Sequence, residues 1–446
     1  MIIKITPQTL DGTIHVPASK SMTHRELIAS ALAKGSSTLR NVTMSKDIEA
    51  TIRILCQFGA VIDVEKGEKE TLIHVTGGLK KQEGTIIADA GESGSTLRFL
   101  IPIGIYSGNR VQWTGHGRLS ERPLTPYYDL FDEKGIAYQA ESGGLPLTVE
   151  GKWEGGLFEL PGNVSSQFFT GILFILPLLA GGSALESTTE VESEGYINMT
   201  IDTMRKRNIA LTLRRAGHYE VFGPQEYEAA DTAVEGDYSQ AAFWLAAGLS
   251  GGTVKLTGLT RNSRQGDRAI LDILIRMNAF LAFEHDDIIA VESQTEGTVI
   301  DARDCPDLVP VLAALASVSK GKTEIVNAAR VRLKESDRLH AMAVELNKIG
   351  AKVEETKDGL IIEGVPALTG GTVSSWNDHR IAMMAAIAAA QAMLTTRIKG
   401  CAKDIRDKYI DPPNTTDFGI MFLPFEGLYA EVIRLGLVEV LQRQYK

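Results

Sequence analysis

Pro17-Ala18-Ser19-Lys20-Ser21 near the start of the chain and Arg332-Leu333-Lys334-Glu335-Ser336-Asp337-Arg338 in its second half set lysine, arginine, serine and acid side chains at the mouths of predicted helices. Free backbone N–H groups and the positive end of a helix dipole meet at such positions, which therefore suit bound anions. The two segments read as halves of one anion-binding active site. Loops of similar design recur at Gly91-Glu92-Ser93-Gly94-Ser95, Asn163-Val164-Ser165-Ser166-Gln167 and Asn377-Asp378-His379-Arg380. Serine, asparagine and aspartate are also the preferred N-caps, so any one of these loops taken alone reads first as a cap. Lys20, Arg25, Arg98, Arg122, Arg338 and Arg380 are what a cap does not need.

The elements that must position these side chains repeat. Stretches opening at Gly12, Gly84 and Gly156 lie about 72 residues apart, and each runs strand, small polar loop, apolar helix, glycine-containing turn, strand. That period is too long for a thin solenoid and suits a βαβ-type unit with added strands. Three more copies follow, from Glu228 to Leu256, from Gly297 to Val326 and from Gly371 to Lys399. In each copy the first helix is apolar all round, as from Leu27 to Ala33, Leu97 to Ile105 and Phe168 to Leu179, which predicts burial. In five of the six a second, amphipathic helix follows, at Asp47 to Phe58, Pro123 to Glu133, Ile197 to Lys206, Ala269 to Met277 and Ser336 to Lys348. The chain is an α/β protein built from two sets of three units.

Length and composition agree. A chain of 446 residues is too long for one core, and 44% apolar with 23% charged residues is ordinary for a globular protein. The longest apolar runs, Gly171 to Ala180 and Ile381 to Leu394, fall short of the roughly 20 residues of a membrane span, and no basic-then-apolar leader opens the chain, so a cytoplasmic location is expected. A formal charge of −10 argues against a nucleic-acid surface. Cys56, Cys305 and Cys401 make neither a disulfide framework nor a metal cluster and read as buried free thiols. Walker-type and dinucleotide glycine loops, zinc motifs and a serine-hydrolase elbow are all missing, so neither a cofactor nor a metal is expected.

Six segments in one order carry a resemblance: Ser19-Lys20-Ser21 with Arg25, Ser93-Gly94-Ser95-Thr96-Leu97-Arg98, Glu121-Arg122-Pro123, Ser165-Ser166-Gln167, Lys334-Glu335-Ser336-Asp337-Arg338 and Asp378-His379-Arg380. Over about residues 1 to 400 the chain resembles the 5-enolpyruvylshikimate-3-phosphate synthase family of enolpyruvyl transferases. The resemblance implies a two-domain fold, each domain three βαβαββ repeats whose buried helices point their N-termini at an interdomain cleft. It places residues 18–234 in the N-terminal lobe and residues 1–17 and 235–446 in the C-terminal lobe. It also implies a monomer acting on two small molecules, shikimate-3-phosphate and phosphoenolpyruvate, without cofactor, metal, nucleic acid or membrane.

In that family the 5-hydroxyl of shikimate-3-phosphate adds to C2 of phosphoenolpyruvate as C3 is protonated, and phosphate and a methyl proton then leave. A C–O bond breaks, so a metal bridging phosphates is not required. Each substrate carries on the order of −3 when fully ionised, which explains the demand for cations and aligned helix starts. By resemblance Lys20, Gly94, Arg122 and Gln167 hold the phosphate of phosphoenolpyruvate, and Arg338 and Arg380 hold its carboxylate as planar two-pronged donors. Lys20, Ser21, Arg25, Ser165, Ser166, Gln167, Ser193, Tyr196, Asp307 and Lys334 surround shikimate-3-phosphate. Asp307 is the candidate acceptor of the hydroxyl proton, Glu335 the candidate donor to the methylene carbon, and Lys20 shares proton transfer. The competing reading of Asp307 is an N-cap of the helix from Leu308 to Val318, and that of Glu335 a surface ion pair with Lys334 or Arg338. Cations on both domains imply a cycle of opening, binding and closure.

Three departures stand out. Glu92 occupies a position where many members have asparagine, and so does Arg330 for some. The family's C-terminal lysine, which reaches the phosphate, has Lys408 as its nearest counterpart, and the run from about residue 401 through Asp411-Pro412-Pro413 to Lys446 is unrelated to the family pattern. A shifted reading frame would account for that run, and a genuine one allows an inactive anion-binding relative. The remaining rival is transfer to UDP-N-acetylglucosamine, whose family has Lys-Asn where this chain has Lys20-Ser21 and a reactive cysteine that this chain lacks in the corresponding loop.

Overall fold

The computed structural model describes residues 2–7, 10–67, 70–141, 144–400 and 438–441. Six four-stranded sheets share one plan: the first two strands run parallel and the next two are added antiparallel. In one sheet Thr85–Asp89 pairs parallel with Arg110–Thr114, which pairs antiparallel with Leu147–Glu150, which pairs with Ala137–Ala140. A parallel pair needs a crossover, which in four sheets is a single α-helix, while in the two sheets with exchanged strands the chain between the paired strands runs through many further elements. The six helices that follow the leading strands are the apolar ones. These are α1 (Lys20–Leu32), α3 (Gly94–Tyr106), α5 (Ser166–Ile175), α7 (Tyr238–Leu249), α9 (Val309–Ala316) and α11 (His379–Ala390). Burial takes in almost the whole circumference of each, as expected for helices without a polar stripe. The amphipathic helices are α2 (Lys46–Gln57), α4 (Thr125–Lys134), α6 (Glu194–Lys206), α8 (Ala269–Arg276) and α10 (Arg338–Lys348).

The chain divides into two compact units, one of Ala18–Glu235 and one of Met1–Pro17 with the chain from Gly236 onward. At the two crossings the leading strands are exchanged. Leu10–His15 runs directly toward α1, yet it pairs parallel with Gly252–Thr257 of the other unit's core. Thr232–Ala233 runs toward α7, yet it pairs parallel with Leu39 and Arg40. The sequence repeats opening at Gly12 and Glu228 therefore each contribute their first strand to the other unit. Ile2–Ile5 completes the last sheet, between Thr396–Lys399 and Val438–Leu441.

Inside Ala18–Glu235 one ion pair is fully buried. Arg207 donates to Glu26 at 2.8 Å, to Ser30 at 2.9 Å and to the Ala230 carbonyl, while Thr232 donates to Glu26 at 3.2 Å. The pair ties α1 and the end of α6 to the exchanged strand. Breaking a buried pair from one side leaves an uncompensated charge, so Glu26→Ala is expected to destabilise this unit by about 3–5 kcal/mol. A lowered denaturation midpoint measures it.

The expectation of three buried thiols fails at Cys56, which is exposed, whereas Cys305 is buried. Ile54 and Leu55 carry the buried stripe of α2 at its end, and Cys56 lies about 100° further round. Cys401 lies outside the described residues.

Candidate active site

The bland reading of the polar loops is correct as far as it goes. Ser19, Ser93, Ser165, Asp237 and Asp378 accept backbone N–H bonds at the starts of α1, α3, α5, α7 and α11. The cations beside them do more.

In the unit Ala18–Glu235, the loops entering α3 and α5 converge on Gly94. A Cβ placed there would lie 3.0 Å from Nη1 of Arg122 and 3.4 Å from Oε1 of Gln167. Gln167 is fixed from both ends, accepting from Arg98 at 2.9 Å and donating to Ser95 at 3.0 Å. Arg98, noted only as an additional cation, is therefore a buried strut whose guanidinium also lies 4.8 Å above the Phe168 ring. Burial, then the nearby Arg122 charge, pushes its pKa down to about 10. Glu92 is turned toward Gly117, where a Cβ would come within 2.5 Å of its carboxylate.

Lys20 opens α1 and its Nζ lies 2.7 Å from Asp47. Asp47 is itself located by Thr96, which donates to its carbonyl at 3.1 Å. Arg25, one turn on, is 2% exposed and donates to the Ser21 carbonyl at 2.7 Å, the Tyr196 carbonyl at 2.8 Å and the Thr200 hydroxyl at 2.9 Å. The predicted group of Ser21, Arg25 and Tyr196 is thus one bonded cluster, with Arg25 as its internal brace. Ser166 is buried behind the cap Ser165, and Ser193 is buried in the left-handed region (φ 59°) at the start of α6 without capping it.

In the other unit the five described candidates form one cluster, in which three cations surround the Asp307 carboxylate. Oδ1 of Asp307 lies 3.1 Å from Arg338 Nη1 and 3.5 Å from Lys334 Nζ, and Oδ2 lies 3.2 Å from Arg380 Nη2. Arg338 also donates to Glu335 at 2.7 Å and to Asp378 at 2.9 Å through Nε. Arg380 donates to the Asp307 carbonyl at 3.2 Å and to Ser239 at 2.9 Å. Burial pushes the Asp307 carboxyl up, but Arg380, Lys334 and Arg338 together outweigh it and hold it far below the carboxylate range. Lys334 is shifted down because burial outweighs the attraction of Asp307.

The capping alternative for Asp307 is not what the geometry shows. A short 3-10 turn, Pro306–Leu308, precedes α9, and the N-terminus of that helix takes no side-chain cap. The ion-pair alternative for Glu335 is met in part, since its partner is Arg338, but Arg338 is 1% exposed and the pair is no surface bridge. Arg332 of the same segment turns away, to Asp337 and Glu355. Arg330 donates to the Arg303 carbonyl at 2.6 Å. Lys408 lies outside the described residues.

Asp378 was legible only as an N-cap and is more. Besides capping α11 it accepts from Ser336 at 3.0 Å and from two nitrogens of Arg338. The ionic roles of Asp47 and Asp378 had no local signal, because each partner lies more than 25 residues away.

A family model described as EPSP synthase (3-phosphoshikimate 1-carboxyvinyltransferase) matches residues 5–404. The chain belongs to the EPSP synthase family. It is 47% identical to the 3-phosphoshikimate 1-carboxyvinyltransferase of Clostridium novyi, over 86% of this chain and 90% of that protein. It is also 47% identical to the same enzyme of Clostridium acetobutylicum, over 89% and 92%. A solved EPSP synthase from Acinetobacter baumannii, 24% identical, shares the two-domain enolpyruvyl transferase fold with a TM-score of 0.79, covering 99% of this chain and all of that one. The segment that departs from the EPSP synthase pattern overlaps a second match, to a model of the RmuC family at residues 376–446. Among the described residues no helix is long and apolar enough to cross a membrane.

Proposed function

We propose that the chain transfers the enolpyruvyl group of phosphoenolpyruvate to the 5-hydroxyl of shikimate-3-phosphate and releases phosphate. The observation that carries the reading is the carboxylate of Asp307 lying between Arg338 and Arg380 with Lys334 alongside. A planar acid is already seated between two planar cations, which is the setting a substrate carboxylate needs. Gly94, Arg122 and Gln167, which meet at the start of α3, are assigned to the phosphate, with Lys20 at the start of α1 as a further cation for it.

The steps are those the family resemblance implies. The hydroxyl oxygen of shikimate-3-phosphate bonds to C2 of phosphoenolpyruvate, its proton passes to Asp307, and C3 takes a proton from Glu335, giving a tetrahedral ketal. Cleavage of the C2–O bond to phosphate and loss of a proton from the new methyl group restore the enol, and Lys20 shares these transfers. In the free protein Asp307 is a weak base because three cations surround it. Substrate anions that take up part of the charge of Arg338, Arg380 and Lys334 raise its basicity when a proton must be accepted. In this reading Ser21, Arg25, Ser165, Ser166, Ser193 and Tyr196 hold shikimate-3-phosphate, and Lys408 is the candidate for the family's last phosphate contact. The protein works as a cytoplasmic monomer.

Purified protein mixed with both substrates is expected to release phosphate in step with loss of phosphoenolpyruvate. UDP-N-acetylglucosamine offered instead is expected to give none, and the opposite pattern would reassign the acceptor. Gly94→Ala tests the phosphate site, because the added methyl group meets Arg122 at 3.0 Å. The Michaelis constant for phosphoenolpyruvate is expected to rise about tenfold with little change in folding stability.

A further inference from the structure

We propose that Glu345 and Trp376 form a clamp that positions the arginine pair Arg338 and Arg380, making Glu345 a positioning residue for phosphoenolpyruvate. The inference rests on the reading of those arginines as the carboxylate site.

The turn between the strand Thr372–Ser374 and α11 contains two successive non-glycine residues in the left-handed region, Trp376 (φ 55°) and Asn377 (φ 58°). Asparagine tolerates that conformation, but a bulky indole does not adopt it without support from its surroundings. The support comes from α10. Glu345, 1% exposed, accepts the indole N–H of Trp376 at 2.6 Å on one oxygen and the backbone N–H of Ser374 at 3.0 Å on the other. Its first oxygen also takes Lys348 at 2.8 Å, and His340 packs edge-on against the Trp376 ring at 5.5 Å. One carboxylate thus pins the turn at its entry and at its most strained residue.

What leaves this turn is the substrate machinery. Asp378 follows Asn377 directly, closes the turn by donating to the Ser375 carbonyl at 2.9 Å, and holds both Arg338 and the start of α11. Arg380 is two residues on. Because α10 begins with Arg338 and carries Glu345 two turns later, one helix supports one arginine and clamps the turn that presents the other.

The test uses Glu345→Gln and Trp376→Phe in the full chain. Glutamine offers one of the two N–H donors another donor, and phenylalanine keeps the ring while removing the indole N–H. Each variant is expected to raise the Michaelis constant for phosphoenolpyruvate about tenfold, to leave that for shikimate-3-phosphate within about twofold, and the pair combined to be far from additive. Folded variants with an unchanged constant for phosphoenolpyruvate overturn the clamp, whatever their loss of stability. Failure of the wild-type protein to turn over the two substrates counts against the assigned reaction instead. The clamp is then judged by the emission of Trp376, isolated by subtracting the spectrum of Trp376→Phe. The other three tryptophans are at most 3% exposed. A shifted Trp376 emission in Glu345→Gln supports the contact, and superimposable spectra refute it.

Discussion

Arg338→Ala is expected to lose both activity and stability. Arg338 is 1% exposed and meets three carboxylates, Asp307, Glu335 and Asp378, so alanine leaves three acids close together around a void. Removing one partner from a buried ionic group costs about 3–5 kcal/mol, more than the group contributes when it is intact. Loss of half of the carboxylate fork should also lower kcat/KM for phosphoenolpyruvate by about a thousandfold. Arg338→Lys keeps a charge but not the planar fork, and should recover part of the stability and little of the activity.

The pH dependence of stability separates this account from a packing defect. Arg338 holds the Asp378 carboxyl below its ordinary value despite burial, and it helps to do the same for Asp307. A carboxyl whose folded pKa is depressed adds stability above its unfolded pKa, about 4, and that stability is lost as pH falls through the folded value. The wild-type protein should therefore weaken steadily below about pH 4. In Arg338→Ala, Asp378 loses its principal cation and its carboxyl moves up, so the variant should be flatter with pH or recover on mild acidification. Denaturation midpoints across that range measure the difference. Parallel wild-type and variant curves would mean that only packing had been lost.

Asp307→Asn should leave a folded protein with turnover reduced by about a hundredfold to ten-thousandfold, the usual range for removal of a general base. Asparagine keeps the shape and one acceptor oxygen, enough for Arg338 or Arg380 but not both. Arg380 retains the backbone carbonyl of residue 307 and Ser239, and Arg338 retains Asp378, so the fork survives. It also withdraws the negative charge that competes with substrate for those arginines. The Michaelis constant for phosphoenolpyruvate should accordingly stay level or fall while kcat collapses, a split that loss of a helix cap would not produce. Near-normal kcat in a folded Asp307→Asn protein removes the residue from proton transfer.

The sheet plan and the helix positions were legible because their causes are local. An apolar circumference over ten or more residues, a serine or aspartate just before it and a glycine turn after it lie within one window of sequence. That is why α1, α3, α5 and α11 begin within one residue of their polar loops. The exchange of Leu10–His15 and Thr232–Ala233 between units was less legible, since a strand carries no mark of which partner it will pair with. The same holds for thiol exposure: Cys56 differs from its buried neighbours only by its angle around α2.

By itself the sequence determined two sets of three βαβ-type units, the polar helix mouths and the cations grouped at them, because periodicity, capping and composition act over a few residues. Only the tertiary structure decided which acid answers which donor. Asp378 with Arg338, Asp47 with Lys20 and Glu345 with Trp376 are 27 to 40 residues apart along the chain and at hydrogen-bond distance in space. Coulomb attraction and hydrogen bonding depend on distance, orientation and burial in space rather than on distance along the chain, and folding sets all three.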